Sequence, residues 1–297
     1  MKNFLLAATT FLLLAAPCLA EDLPFTIESG FIIVSARVKK DISVEVALST
    51  GLPSSVVESA PNEKFKLQTS YTNDGPVMNK NSKVYLFMDV PDIIVGSAKP
   101  TALKMALSPQ FGVGKKIGRE IFGVLGADFF KGKIIQFDFL KKVVRSLDHS
   151  PETAAPSAAG NSSMTFKMTG TVDTPVNLAI SVPVVQEILY NGKKLRTLFN
   201  TGSGLPVAIS SGAMKELQLD PLPEKGKTVV GKVKSLKMYD LELNDVPSLF
   251  YGKDAGFEQD RIEYDAAIGL GILKNFIATF DFKEKTVTLE RPAAPTN

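Results

Sequence analysis

The chain has 297 residues, of which 44% are hydrophobic and 22% charged, and its formal net charge is only +3. This length suits about two domains, at roughly 150 residues each. The composition argues against a disordered chain and against a strongly basic nucleic-acid-binding surface.

Residues 1–20 have the features of a secretion signal. Lys2 supplies a positive charge, Phe4 to Ala16 form an apolar run, and small residues stand three and one positions before a cut after Ala20. The apolar run is shorter than the ~20 residues that span a bilayer, and no longer run follows it. We therefore expect cleavage near Ala20, a periplasmic or secreted mature protein, and no membrane span.

Cys18 is the only cysteine and lies within this signal. The mature chain is then expected to contain neither a disulfide nor a thiol nucleophile. A lipoprotein would need Cys18 as its acylated residue, but Pro17 before it matches that signal poorly. An exported protein without disulfides fits a bacterial envelope.

From residue 21 onwards, short apolar or alternating runs broken by turn residues are typical of an all-β protein. In the first half, the strand Ser43 to Leu48 leads into Ser49-Thr50-Gly51. Val124 and Leu125 then precede Gly126, after which a short helix is predicted. Gln136 to Val144 predict a closing hairpin.

Residues 150–163 are rich in Pro, Ala, Ser and Gly, which indicates an exposed linker. It separates a first lobe, 21–149, from a second lobe, 164–292, with a tail at 293–297.

The second lobe begins with a predicted hairpin, Val184 to Phe199, because Asn191-Gly192 favours a type I′ turn. This hairpin runs into Asn200-Thr201-Gly202-Ser203. Short helices are predicted at Ser211 to Leu217 and after Gly269, and Phe276 to Leu289 predict a second closing hairpin.

The two halves are internally repeated. Phe122 to Phe130 align with Asp265 to Leu273 at an offset of 143, and the same offset places Gln136 to Phe139 over Thr279 to Phe282. Upstream, Ser43 to Gly51 align with Lys194 to Gly202 at an offset of 151. The first copy therefore has eight extra residues between its matching blocks, as surface loops tolerate.

An apolar strand ending in x-Thr-Gly, followed later by two apolar residues and a Gly, resembles the retropepsin-like aspartic proteases. The resemblance covers most of the mature chain and implies two tandem β-barrel lobes related by a pseudo-two-fold axis. It also implies that Thr50 and Thr201 link the two loops by hydrogen bonds, and that Gly51 and Gly202 permit tight turns. The expected oligomeric state is a monomer that forms a pseudo-dimer within one chain.

The sequence departs from this family at the two catalytic positions, where Ser49 and Asn200 replace aspartates. The chemistry of the family needs a pair of carboxylates whose pKa values are split by proximity. Positioned acids and bases contribute typically ~10²–10⁴-fold each, so we expect no catalytic residues here. Ser49 and Asn200 are either turn residues in an obsolete site or hydrogen-bonding groups of a retained binding site.

Other catalytic arrangements are disfavoured. A serine nucleophile at Ser49 would need His149, the sole histidine, which lies about a hundred positions away at the edge of the linker. Asp128 and Asp265 could replace the lost carboxylates, but structural roles are expected for them. The equivalent placement of Asp138 and Asp281 also indicates shared architecture.

We expect no metal and no cofactor, because the mature chain offers one histidine and no cysteine. Gly112 to Lys116 look like part of a phosphate loop but lack its full spacing, so a basic surface loop is predicted. Five scattered lysines form no basic patch with interleaved aromatics, which disfavours nucleic-acid binding: Lys225, Lys227, Lys232, Lys234 and Lys237.

The function predicted from the sequence is a noncatalytic, exported protein of aspartic-protease-like fold that binds a peptide or protein partner between its lobes. Flap hairpins are expected near Tyr71 to Pro76 and Val229 to Val233. One alternative is a residual or unconventional aspartic-type peptidase, and another is a structural envelope protein with a closed cleft.

Overall fold

A computed structural model describes residues 21–39, 42–58, 65, 67–72, 85–107, 112–148, 163–174, 179–220, 222–257 and 262–292. The predicted signal, His149, almost all of the linker and the C-terminal tail lie outside these residues.

Short runs of residues, some alternating between buried and exposed and others buried throughout, form the strands of the first half. Its strands are β1 (Leu23–Glu28), β2 (Phe31–Val38), β3 (Ile42–Leu48), β4 (Val56–Val57), β5 (Gln68–Thr72), β6 (Tyr85–Val95), β7 (Thr101–Leu107), β8 (Gly123–Leu125), β9 (Ile134–Asp138) and β10 (Val143–Leu147). Two short helices accompany them, α1 (Val113–Ile117) and α2 (Ala127–Phe130).

The second half is also built mainly from strands. They are β11 (Ser163–Lys167), β12 (Gly170–Asp173), β13 (Ala179–Val182), β14 (Val184–Val185), β15 (Leu189–Tyr190), β16 (Lys193–Lys194), β17 (Thr197–Phe199), β18 (Val207–Ile209), β19 (Thr228–Met238), β20 (Leu241–Tyr251), β21 (Ala266–Ile268), β22 (Ile277–Asp281) and β23 (Thr286–Glu290). Its helices are α3 (Ser211–Glu216) and α4 (Leu270–Leu273). The all-β prediction is confirmed.

Both halves contain the same strand arrangement around the x-Thr-Gly turn. In the first half β3 runs parallel to β8, and β4 pairs antiparallel with β8. In the second half β17 runs parallel to β21, and β18 pairs antiparallel with β21. The repeat detected in the sequence is therefore a repeat of strand topology.

A 13-stranded sheet joins the two halves, because β9 pairs antiparallel with β22. In this pairing Gln136 lies opposite Thr279, its equivalent at the offset of 143, and its Nε2 donates to Thr279 Oγ1 at 3.1 Å. The equivalent residues Phe137 and Phe280 also meet, with ring centroids 5.9 Å apart. A pseudo-two-fold axis therefore passes between Gln136 and Thr279.

Several local predictions are confirmed. Asn191 and Gly192 have φ angles of 47° and 81° and connect β15 to β16, as a type I′ turn requires. Both closing hairpins form, β9 with β10 and β22 with β23. The three predicted short helices are α2, α3 and α4.

The two predicted flaps have different outcomes. Val229 to Val233 lie inside β19, whose hairpin turns at Tyr239 and Asp240, so this segment is not a flap tip. Of the flap predicted in the first half, Tyr71 and Thr72 end β5 and the remainder lies outside the described residues.

The segment from Gly112 to Lys116 is not a surface loop. Most of it belongs to α1, where Val113 is fully buried while Lys115 and Lys116 are exposed. The carboxylate of Glu58 accepts hydrogen bonds from the backbone N–H groups of Val113 and Gly114 at 2.5 and 2.8 Å. An internal carboxylate therefore occupies the place that a phosphate would need.

No helix in the described residues is long and apolar enough to cross a membrane. All five lysines that were considered as a basic patch are exposed. Three of them belong to β19, and Lys225 and Lys227 precede that strand.

Candidate functional site

The two x-Thr-Gly turns meet at the centre of the molecule. Ser49 directly follows β3 and Asn200 directly follows β17, the two strands that run parallel to β8 and β21. Ser49 Oγ donates a hydrogen bond to Asn200 Oδ1 at 3.3 Å. Ser49 is 6% exposed and Asn200 is half-buried. The folded chain therefore brings together two positions that are 151 residues apart.

The two threonines exchange hydrogen bonds across the pseudo-two-fold axis. The backbone N–H of Thr50 donates to Thr201 Oγ1 at 3.0 Å, and that of Thr201 donates to Thr50 Oγ1 at 3.1 Å. The hydroxyls in turn donate to the opposite strands, Thr50 to Phe199 O at 2.9 Å and Thr201 to Leu48 O at 3.4 Å. Both threonines are fully buried, so each loop satisfies polar groups of the other.

Gly51 and Gly202 are required for close approach and not for a left-handed backbone. Neither is among the residues with positive φ, which corrects the expected reason for their presence. A Cβ on Gly51 would lie 2.5 Å from Asn200 Cγ, and one on Gly202 would lie 2.3 Å from Ser49 Oγ. Each glycine therefore leaves room for the side chain of the opposite turn.

Behind the turns, Gly126 and Gly269 pack against the backbone. A Cβ on either would lie 2.4 Å from a carbonyl oxygen, that of Leu52 or that of Leu205. The backbone carbonyl of Ser203 accepts from Leu270 N at 2.7 Å, and its hydroxyl accepts from Leu205 N at 3.4 Å. Ser203 therefore holds its own loop together.

Asp128 has a structural environment. Its carboxylate accepts hydrogen bonds from Ser55 N at 2.8 Å, from Ser55 Oγ at 2.5 Å and from Phe129 N at 2.8 Å. Desolvation raises the pKa of this carboxyl, and the donors from Ser55 and Phe129 offset the rise in part. Ser55 was not identified from the sequence; it is fully buried, and its hydroxyl also accepts from Gly126 N at 2.9 Å.

The other acidic candidates are also engaged elsewhere. Asp265 binds Arg196 through that residue's backbone N–H and guanidinium at 3.0–3.1 Å. Asp138 and Asp281 accept backbone N–H groups in the turns of the two closing hairpins. Within the described residues, the side chains of Ser49 and Asn200 hydrogen-bond to no carboxylate.

Chemically, the paired turns offer a hydroxyl and an amide. Neither group ionises near neutral pH, so the pair can donate and accept hydrogen bonds but cannot share a proton as two carboxyls do. In the described ranges, no three His, Cys, Asp or Glu side chains cluster as a metal site would require.

Beside the paired turns, the two halves touch at Gly30 and Gly204. Gly30, in the turn between β1 and β2, touches Gly204, since a Cβ on Gly30 would lie 2.7 Å from Gly204 Cα. Gly204 is nevertheless exposed. A small pocket of about 20 Å³ is lined by residues that include Leu48, Phe130 and Arg145 but neither Ser49 nor Asn200.

Comparison with known proteins agrees with this geometry. No family model and no curated protein matches the chain. Among solved structures, it is similar to an aspartic proteinase from Irpex lacteus, with a TM-score of 0.53 and 14% sequence identity. The match covers 92% of this chain and 98% of that chain. The protein thus has a two-domain, all-β fold like that of the aspartic proteases.

Proposed function

We propose that this protein is exported, does not cleave peptide bonds, and binds an extended peptide or protein segment at the paired turns. The observation that carries the proposal is the 3.3 Å contact between Ser49 Oγ and Asn200 Oδ1, where the resembled family has two carboxylates. Hydrogen-bonding groups are kept at this point, while the acid–base groups are replaced.

The enzymatic part is tested by incubating the purified mature protein with denatured casein between pH 3 and 6. We expect no cleavage, because neither residue can take a proton from water in this range. Cleavage that a transition-state mimic of the aspartic proteases blocks would overturn the noncatalytic assignment and favour the alternative of an unconventional peptidase.

The geometry of the site is tested by the double variant Ser49→Asp with Asn200→Asp. Two carboxyls this close cannot both ionise easily, so the pKa of one should rise above its usual value near 4. Because the pKa of this carboxyl would be higher in the folded than in the unfolded state, the variant should lose stability relative to the wild type as the pH rises from about 4 to the raised pKa. Unfolding in urea at pH 3 to 7 measures this loss; two ordinary carboxyl titrations in a folded double variant would contradict it.

The contact between Gly30 and Gly204 favours the structural alternative, because it brings the two halves together beside the turns. If no pool of random octapeptides binds the immobilised mature protein, that alternative is supported.

Export is tested by N-terminal sequencing of the mature protein from cell fractions. We expect Glu21 as the first residue, in the periplasm or the medium.

A further inference from the structure

The amide of Asn200 has a defined orientation. Its Oδ1 accepts hydrogen bonds from Gly202 N at 2.8 Å and from Ser49 Oγ at 3.3 Å. A backbone N–H must face an oxygen, so Nδ2 points away from Gly202 and carries two further donors. In the described part of the chain Nδ2 has no acceptor, and Asn200 is half-buried.

A third donor lies in the first half. Asn200 of its own turn accepts from Gly202 N–H, whereas Ser49, the equivalent residue of the first turn, has a shorter side chain. No acceptor for Gly51 N–H is found among the described residues. Within the described ranges, the first turn, with the shorter serine, therefore has a backbone N–H without an acceptor at Gly51, whereas the equivalent N–H of Gly202 has one.

These donors belong to neighbouring groups, since Gly51 packs against the Asn200 side chain, and within the described residues no carboxylate hydrogen-bonds to Ser49 or Asn200. A carboxylate can accept several hydrogen bonds, and its bonds to N–H groups are stronger than those of a neutral carbonyl. Two aspartates at the same positions would repel such a ligand. From this arrangement we propose that the paired turns bind a carboxylate of the ligand, through Asn200 Nδ2 and Gly51 N–H. This inference rests on the proposed peptide-binding function.

The carboxylate can belong to the C-terminus of a peptide or to an acidic side chain. The experiment therefore uses three pools of random octapeptides and immobilised mature protein. The first pool has free C-termini and no internal acid, the second has amidated C-termini and no acid, and the third has amidated C-termini and one glutamate. Retention of the first or the third pool above the second identifies the source.

We expect one or both carboxylate pools to be retained at least about tenfold more than the acid-free amide pool, roughly the effect of one charge-assisted hydrogen bond. Ser49→Asp and Asn200→Asp should each abolish this preference, because a carboxylate at either position repels the carboxylate of the ligand. Asn244→Asp, which places the same charge at an exposed position of β20, should leave the preference unchanged.

The outcomes separate the two proposals. Equal retention of all three pools would overturn the carboxylate inference and leave peptide binding intact. No retention of any pool would overturn both. In ¹⁵N-labelled protein, shifts of the Gly51 amide and the Asn200 side-chain amide on addition of the preferred pool should accompany binding, and shifts elsewhere alone would contradict the assignment of the site.

Discussion

The turn that follows the central loop is held in different ways in the two halves. In the first half, Ser55 donates its backbone N–H and its hydroxyl to Asp128. In the second half Gly271 takes the place of Asp128 at the offset of 143, and the backbone of Pro206 packs against it. A Cβ on Gly271 would lie 2.6 Å from Pro206 N. The same place is therefore held by a polar pair in the first half and by close steric packing in the second.

The largest effect is expected from Asp128→Gly, which puts the glycine of the second half into the first half. It leaves the N–H and hydroxyl of Ser55 and the N–H of Phe129 without their acceptor, at a cost of about 4 kcal/mol in the free energy of unfolding. Ser55→Ala should cost at least about 1 kcal/mol less in this variant than in the wild type, because the Ser55 hydroxyl has already lost its acceptor there. Urea unfolding measures both costs, and strict additivity would contradict the coupling of Ser55 with Asp128.

The threonines differ from these pairs because both halves keep the same residue. Thr50→Val removes an acceptor from Thr201 N and a donor from Phe199 O, so we expect a loss of about 3 kcal/mol. Thr201→Val should cost less, since its bond to Leu48 O is the longer one at 3.4 Å. The exposed Thr171, on β12, provides the control Thr171→Val, which should be nearly neutral. Equal and small losses for all three variants would show that the exchanged hydrogen bonds contribute little.

Gly271→Ala tests the steric packing. Gly271 lies in α4, and a methyl group added there would meet the backbone of Pro206. The resulting shift should lower the free energy of unfolding by about 2 kcal/mol. Gly212→Ala, in the similar short helix α3, is the matched control, because the nearest atom to its Cβ is 3.9 Å away. This control should be neutral or stabilising. If both variants unfold at the same urea concentration as the wild type, the close approach at Gly271 is not required.

The smallest effect concerns Lys133, whose equivalent in the second half is the buried Phe276. Lys133 Nζ donates to Thr101 Oγ1 at 2.7 Å and lies 3.5 Å from the centre of the Phe129 ring. Desolvation lowers the pKa of Lys133 to about 8, although the negative charge of Asp128 opposes this. In the unfolded chain the pKa is ~10.4.

Between these two pKa values the unfolded state binds a proton that the folded state has released, so the free energy of unfolding rises with pH. We expect Lys133 to contribute a rise of about 1 kcal/mol from pH 9 to pH 10, and Lys133→Met to remove it. Urea unfolding at several pH values measures the rise in both proteins, and parallel curves would contradict the lowered pKa.

Features encoded within a few residues, or repeated at a fixed offset, could be predicted from the sequence. Asn191-Gly192 specifies its turn through positive φ angles, and the repeated x-Thr-Gly motifs predict that Ser49 and Asn200 meet. The pairing of Ser55 with Asp128 could not be predicted, because the partners are 73 residues apart and each is unremarkable in its local sequence. The role of Glu58 at α1 escaped prediction for the same reason.

The flap predicted at Val229 to Val233 shows a different limit. Small and β-branched residues occur in hairpin tips and in strand interiors alike, and here β19 continues through them. Likewise, alternation of apolar residues predicts that β9 is a strand but not that its neighbour is β22, since the choice of a distant partner depends on the packing of the whole sheet.

The pairing of β9 with β22 has a consequence for how the protein unfolds. Separating the halves would break the backbone hydrogen bonds between β9 and β22. It would also expose the edges of both strands, and exposed strand edges favour aggregation. We therefore expect the two halves to unfold together, even though each repeats the other. Heating should melt the protein in a single cooperative step, and a backbone cut between the halves should leave the fragments associated.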